Sequence, residues 1–338
     1  MAVRQPANNA RGPLIRHLIT GVAGFIGSQL ADALLADGHE VAGLDDFHLG
    51  RRHHLADASR HPGFRFVEAD VSDPERATSA FRELCGAAGP PHIVWHLAAN
   101  SDIAAGAADP SIDYIRTLGT TFAVLQATRA IGVRSVAFAS TSAVYGETDR
   151  VLTEDLGPLL PISSYGAAKL AGEALLSAAA ETHLDRFWIF RFPNVVGPRA
   201  THGALHDFVA QLVRRPTSLR VLGDGAQTKP YLHVSELIAA MRFITERATA
   251  RRNLFNIGPD GVGTPVSFLA QAIVDGLAPG TPIAYGGGDR GWVGDVPRFA
   301  YSTERLAALG WRPSLSSDEA VLRAAAELAA AAAVAENA

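Results

Sequence analysis

The chain has 338 residues, 48% hydrophobic and 19% charged, with a formal net charge of −4. That length suits a large core or two lobes, and the slight acidity gives no electrostatic reason to expect nucleic acid or an anionic membrane as partner. Cys85 is the one cysteine, which excludes an intrachain disulfide and a zinc–cysteine cluster and suits a reducing, cytoplasmic setting.

The opening MAVRQPANNARGP lacks an apolar core long enough for a signal peptide, and residues 1–13 are expected to be a loose tail. Short apolar runs then alternate with helical patterns. LIRHLIT (14–20) reads as a strand, FIGSQLADALLADG as the helix after it, and EVAGLDD as a second strand. FRFVEADVSD, HIVWHLAA and VRSVAFAST read as strands three to five, with helices over Asp73–Cys85 and Asp113–Ile131 between them. RFWIFRFPNVVG is a sixth strand running into a loop. Strand–helix alternation at this spacing predicts a doubly wound parallel α/β sheet covered on both faces.

After Gly197 proline and glycine become frequent, and RVLGDGAQTKPYLHV and YGGGDRGWVGDVP read as loops with short strands. SELIAAMRFITERA and NLFNIG return to the main sheet. The expected division is a dinucleotide-binding domain over 14–190 with 236–258 returning to it, and a smaller lobe from 191–235 and 259–330. That lobe would sit over the carboxyl ends of the strands, where ligands bind in open α/β sheets. The Ala-rich end is too weakly apolar to span a bilayer and reads as a helix fraying into a tail over 331–338.

TGVAGFIGS follows the first strand and opens the first helix. Gly21, Gly24 and Gly27 form a G-x-x-G-x-x-G run, where backbone can approach a pyrophosphate and the helix N-terminus supplies unpaired N–H groups. Asp45, 18 residues beyond Gly27, is spaced to accept bonds from an adenosine ribose diol, which favours NAD over NADP. Arg51 and Arg52 keep NADP open. Asp70, ending the third strand, is a candidate for the adenine amino group or a turn and helix-cap residue.

Tyr165 and Lys169, in SSYGAAKLAGE, stand at i and i+4 on one helical face. An ordinary phenol, with a pKa of about 10, is a poor base at neutral pH. A neighbouring ammonium and a positive nicotinamide ring would both favour tyrosinate, making Tyr165 a candidate proton acceptor. Thr141, in STSAVYG after the fifth strand, is placed to bond the same substrate oxygen.

TGVAGFIG, LDDFHLGRR, HLAA, STSAVYG, YGAAK, RFPNVVGPR and GDGAQTKPYLHV occur in the order seen in extended short-chain dehydrogenases/reductases, over residues 14 to 313. The chain resembles the nucleotide-sugar epimerase and dehydratase branch, most of all UDP-sugar 4-epimerases. The resemblance implies Tyr165 as base, Lys169 tuning it and holding the nicotinamide ribose, and Thr141 orienting the sugar 4′-hydroxyl. It implies NAD contacts from Gly21, Gly24, Phe25, Ile26, Gly27, Asp45, Asp46, Asp70, Val71, Leu97, Ala98 and Ala99. Substrate contacts would come from Thr141, Ser142, Asn194, Lys229, Arg290 and Asp295, with Lys229 and Arg290 near the diphosphate. A homodimer through helices around Asp113–Ile131 and Ser164–Ala180 is implied too.

Three positions depart from the family pattern. Ser142 and Ala143 follow Thr141 where dehydratases carry an Asp-Glu pair, so C5–C6 dehydration lacks its catalysts. Arg116 replaces the usual Asn before TLGT, and Pro230 replaces the Asp after the phosphate-binding cation. The expected reaction is C4 inversion of a UDP-sugar through a 4-keto intermediate. The Thr141 and Ser142 hydroxyls lean the substrate toward UDP-glucuronate/UDP-galacturonate over UDP-glucose/UDP-galactose. A UDP-hexuronate decarboxylase, another dehydratase or oxidoreductase, and a non-catalytic NAD-binding protein are the alternatives. No metal site is expected. His53 and His54 read as a solvated helix start, His202 and His206 as one helical face near substrate, and Trp292 as lid packing.

Overall fold

The structure, a computed structural model, describes residues 13–261, 263–288, 290–291 and 296–336. Seven parallel strands form the central sheet. In chain order they begin β1 (Arg16–Thr20), β2 (Glu40–Asp45), β3 (Phe64–Glu68), β4 (Ile93–His96), β5 (Ser135–Ala139) and β6 (Arg186–Arg191), and Arg252–Asn256 joins beyond β6. Across the sheet β3, β2 and β1 are followed by β4, β5 and β6, so strand order reverses between β1 and β4. A crevice opens at that reversal, above the carboxyl ends of the strands.

Both faces of the sheet are covered. Helix α1 (Phe25–Ala36) and helix Val234–Arg247 pack on one face with Ile19, Trp95, Leu237 and Met241. Helix α2 (Pro74–Cys85) and the helices Thr120–Ile131 and Ser164–Ala180 cover the other, around Phe81, Val124, Phe138 and Leu176. Each large apolar side chain fully buried there contributes roughly 1.5–3 kcal/mol relative to exposure. Local signals set the helix starts. Asp73 accepts the N–H groups of Glu75 and Arg76 ahead of Pro74, and Ser163 accepts that of Gly166.

The helix expected over Asp113–Ile131 is not continuous. Pro110–Asp113 leads into a π-helical turn, Tyr114–Gly119, before the α-helix from Thr120. The Thr120 and Thr121 hydroxyls donate to the carbonyls of Arg116 and Thr117 at 3.0 and 2.9 Å, which accompanies the widened turn.

A second core lies above the crevice. Helices Ala204–Arg214, Val266–Leu277 and Ser317–Glu336 surround Phe208, Leu212, Leu269, Ile273 and Val321. Its strands are short pairs: Asn194–Val196 with Tyr231–His233, Leu219–Val221 with Ile283–Tyr285, and Thr228–Lys229 with Thr264–Pro265. Pro230 fits between two of them, and Gly263 lies so close to the Lys229–Pro230 peptide that a Cβ there would be 2.1 Å from it. The final helix runs to Glu336, past the boundary at 331 expected from sequence.

Candidate active site

One cavity of about 730 Å³ follows the crevice from the glycine loop to the small lobe. At its floor Gly21 has φ +74° and faces the Ala98 backbone, so a Cβ would lie 2.8 Å from the Ala98 nitrogen. A Cβ on Gly27 would sit 2.1 Å from the Gly21 carbonyl. The glycines therefore let the loop close and leave Gly24, Phe25 and Ile26 lining the cavity at the start of α1. Among the described residues no side chain caps that end, and no acid occupies its first turn, so its N–H groups are available to an anion. This cradle fits the pyrophosphate of a dinucleotide.

Asp45 ends β2 inside the cavity. Its two oxygens accept the N–H groups of Ala23 and Phe47, each at 2.8 Å. It ties the glycine loop to the β2 tip, and each carboxylate oxygen keeps lone-pair capacity for a ribose hydroxyl. Burial pushes its carboxyl above the ordinary value against those two N–H groups. Val71, Leu97, Ala98 and Ala99 line the same end. Asp70 lies instead in an adjoining recess with Glu68 and Arg76, and its Oδ1 accepts both the N–H and the hydroxyl of Ser72. His54, expected in a solvated helix start, is buried with its Nδ1 3.0 Å from the Ala23 carbonyl, because the segment folds under the glycine loop.

Thr141, Tyr165 and Lys169 come together in the same cavity, with Tyr165 hydrogen-bonded to Thr141. Thr141 follows β5 in extended backbone and caps a 3₁₀ turn, Ser142–Tyr145. The Lys169 Nζ donates to the Ala139 carbonyl at 2.7 Å and lies 5.9 Å from the Tyr165 ring centroid. Burial lowers its pKa to about 7, against the Asp113 and Glu173 carboxylates. Burial and the Asp113 charge push the Tyr165 phenol well above its ordinary value, and the hydrogen bond with Thr141 opposes them. Burial, not the neighbouring Lys169, is thus the largest influence on the phenol, and a positive nicotinamide ring beside it would favour tyrosinate.

Asp113 and Glu173 are buried carboxylates beside this pair, and neither is among the candidates that the sequence motifs mark. Asp113 is 1% exposed; its Oδ1 accepts the Asn100 amide at 2.8 Å, while Oδ2 has no hydrogen-bond partner among the described residues. Glu173 is paired bidentately with Arg191 at 2.9 and 2.6 Å and accepts the Ser140 hydroxyl at 2.5 Å. The i, i+4, i+8 stripe of Tyr165, Lys169 and Glu173 was a readable signal. Asp113 carried none, because its burial follows from how the interrupted helix packs.

The lobe contributes Asn194, Arg220 and Lys229 to the cavity, with Ser142 on the sheet side. Arg220 lies on the strand Leu219–Val221, and no motif in the sequence singles it out. Arg290 is placed differently from expectation: its guanidinium takes both oxygens of Glu147 at 2.8 and 3.0 Å, in an exposed pair. His202 lines the cavity near Asp102 and Asp207, and burial lowers its pKa. Asp295 and Trp292 lie outside the described residues.

Residues 17–258 match the profile of the NAD dependent epimerase/dehydratase family. A UDP-glucose 4-epimerase of Mycolicibacterium smegmatis is 34% identical over 318 residues, covering 91% of this chain and 97% of that protein. A crystal structure of a UDP-galactose 4-epimerase superposes with a TM-score of 0.81 at 34% identity, over 94% of this chain and 99% of the other. The UDP-glucose 4-epimerase of Thermus thermophilus in complex with NAD gives 0.79 at 29% identity, over 93% and 99%.

Proposed function

We propose that this chain, which belongs to the NAD-dependent epimerase/dehydratase family, inverts carbon 4 of a UDP-sugar. The carrying observation is convergence: Thr141, Tyr165 and Lys169 share one cavity with the glycine loop and the open N-terminus of α1. NAD, when bound, supplies the hydride acceptor and donor for C4 and a positive ring beside the phenol. The chain supplies the rest. Gly21, Gly24 and the α1 N–H groups hold the pyrophosphate, and Asp45 takes the ribose hydroxyls. Thr141 orients the 4′-hydroxyl, and Tyr165 accepts its proton as the carbinol becomes a ketone. Lys169, braced on the Ala139 carbonyl, adds charge beside the phenol. After the 4-keto sugar turns over, Tyr165 returns the proton as C4 is reduced on its other face. Lys229 and Arg220 fix the diphosphate end, which lets the sugar rotate without leaving.

Between C6 groups, the first reading is UDP-glucose/UDP-galactose. The 34% identical relative carries that name. The second reading, UDP-glucuronate/UDP-galacturonate, is favoured by the Thr141 and Ser142 hydroxyls, both in the cavity and able to donate to a carboxylate. Incubation with each UDP-sugar, followed by proton NMR, tests both. Interconversion of UDP-glucose and UDP-galactose is the expected result, turnover of UDP-glucuronate alone selects the second reading, and no epimer from any UDP-sugar overturns the function.

The assembly we propose is a homodimer. Tyr114, Ile115 and Phe122 expose large apolar side chains along the π-turn and the helix after it, beside the Tyr165 helix. Light scattering at twice the chain mass is the expected result. The lone Cys85 and a soluble nucleotide-linked substrate fit a cytoplasmic location.

A further inference from the structure

Arg116 stands where the family resemblance calls for Asn, and C4 inversion gives it no task. Its Nη1 donates to the Asp46 Oδ2 at 2.8 Å. Asp46 follows β2 and Arg116 lies in the π-turn after β4, and those two strands flank β1 on opposite sides. The ion pair therefore joins two walls of the crevice. Both residues line the large cavity, and Asp46 also lines the adjoining recess with Glu68, Asp70 and Arg76. The pair stands where the adenosine half of the cavity meets the outside.

Both partners are held in place. The Asp46 Oδ1 accepts the His48 N–H at 3.0 Å. The Arg116 carbonyl accepts the Asn100 N–H at 3.2 Å and the Thr120 hydroxyl at 3.0 Å. The side chains are 31% and 29% exposed, shielded enough for the attraction to count and open enough to part. An asparagine lacks both the charge and the length to make this contact. A planar guanidinium, in contrast, can rest on an adenine face while it keeps its carboxylate.

We propose that Arg116 and Asp46 form an ionic latch over the adenosine end of the crevice, which slows release of the bound dinucleotide. This rests on NAD as cofactor and is independent of which sugar is inverted. The test loads the protein with NAD, removes free nucleotide by gel filtration, and follows the NAD retained by mass spectrometry. In R116N and D46N, release should be about three- to tenfold faster, the effect of losing a partly shielded pair. The charge-swapped double variant D46R/R116D should recover much of the slow release. In the parent, raising salt to about 1 M should speed release, because screening weakens the pair, and R116N should lack that response. Parental release from R116N overturns the latch. So does salt-independent release from the parent, a readout that needs no variant to fold.

Discussion

The two walls of the cavity are built differently. On the sheet wall, Thr141, Tyr165 and Lys169 sit at the ends of a five-residue strand and a 17-residue helix, bonded to backbone and backed by the buried Glu173–Arg191 pair. On the lobe wall, Lys229 and Asn194 ride on strands of two and three residues, and Arg290 reaches an exposed partner at the rim. Proton transfer tolerates little displacement, so its groups stand on rigid elements. Gripping a diphosphate needs charge more than sub-ångström placement, and short loops suffice.

That contrast predicts a ranking of defects, with kcat effects on one wall and KM effects on the other. The largest belongs to Tyr165→Phe, which should lower kcat by about 10²–10⁴-fold while NAD stays bound. An unchanged kcat in an NMR or coupled assay would falsify the assignment. Lys169→Met should also cost kcat heavily, and it carries a stability signature. The folded lysine titrates at about 7 against an ordinary 10.5. The unfolded chain therefore binds more protons between those values, and parental stability rises with pH across that window. Urea midpoints at about pH 6.5 and about pH 9.5 should show that rise in the parent and its loss in Lys169→Met.

On the other wall, Lys229→Ala should raise KM about ten- to a hundredfold, the loss of a charged hydrogen bond, with kcat nearly kept. A kcat loss as large as the KM change would erase the distinction between the walls. Asp113→Asn sharpens the comparison from within the sheet wall. The Asp113 carboxylate raises Tyr165 and holds Lys169 up. Removing its charge should move the ascending limb of the pH–rate profile to lower pH; a shift upward, or none, contradicts that electrostatic link. The smallest effect falls to Arg290→Ala, whose partner is exposed: a KM change within about threefold. A larger change would mean that this arginine leaves Glu147 to hold substrate.

Local patterns make much of this legible. Strand–helix alternation, the glycine run, Asp45 and the Tyr165–Lys169 spacing all depend on residues within a turn or a strand of each other. NLFNIG is readable as a returning strand because its apolar run has few other places to pair. The place of Arg290 is not readable in this way, since its choice of Glu147 spans 143 positions. His54 reads as surface from sequence because two histidines in a row say nothing of the glycine loop above them.

The order of residues by itself determined the parallel sheet, the anion cradle and which phenol stands beside which amine, since hydrophobic period, glycine freedom and helical pitch act over short stretches. Tertiary structure alone decided that Asp113 opposes ionisation of Tyr165, that burial lowers the Lys169 pKa, and that Arg116 finds Asp46 across β1. Those outcomes depend on burial and on charges brought together from distant parts of the chain, and Coulomb energy in a shielded interior is set by distance in space.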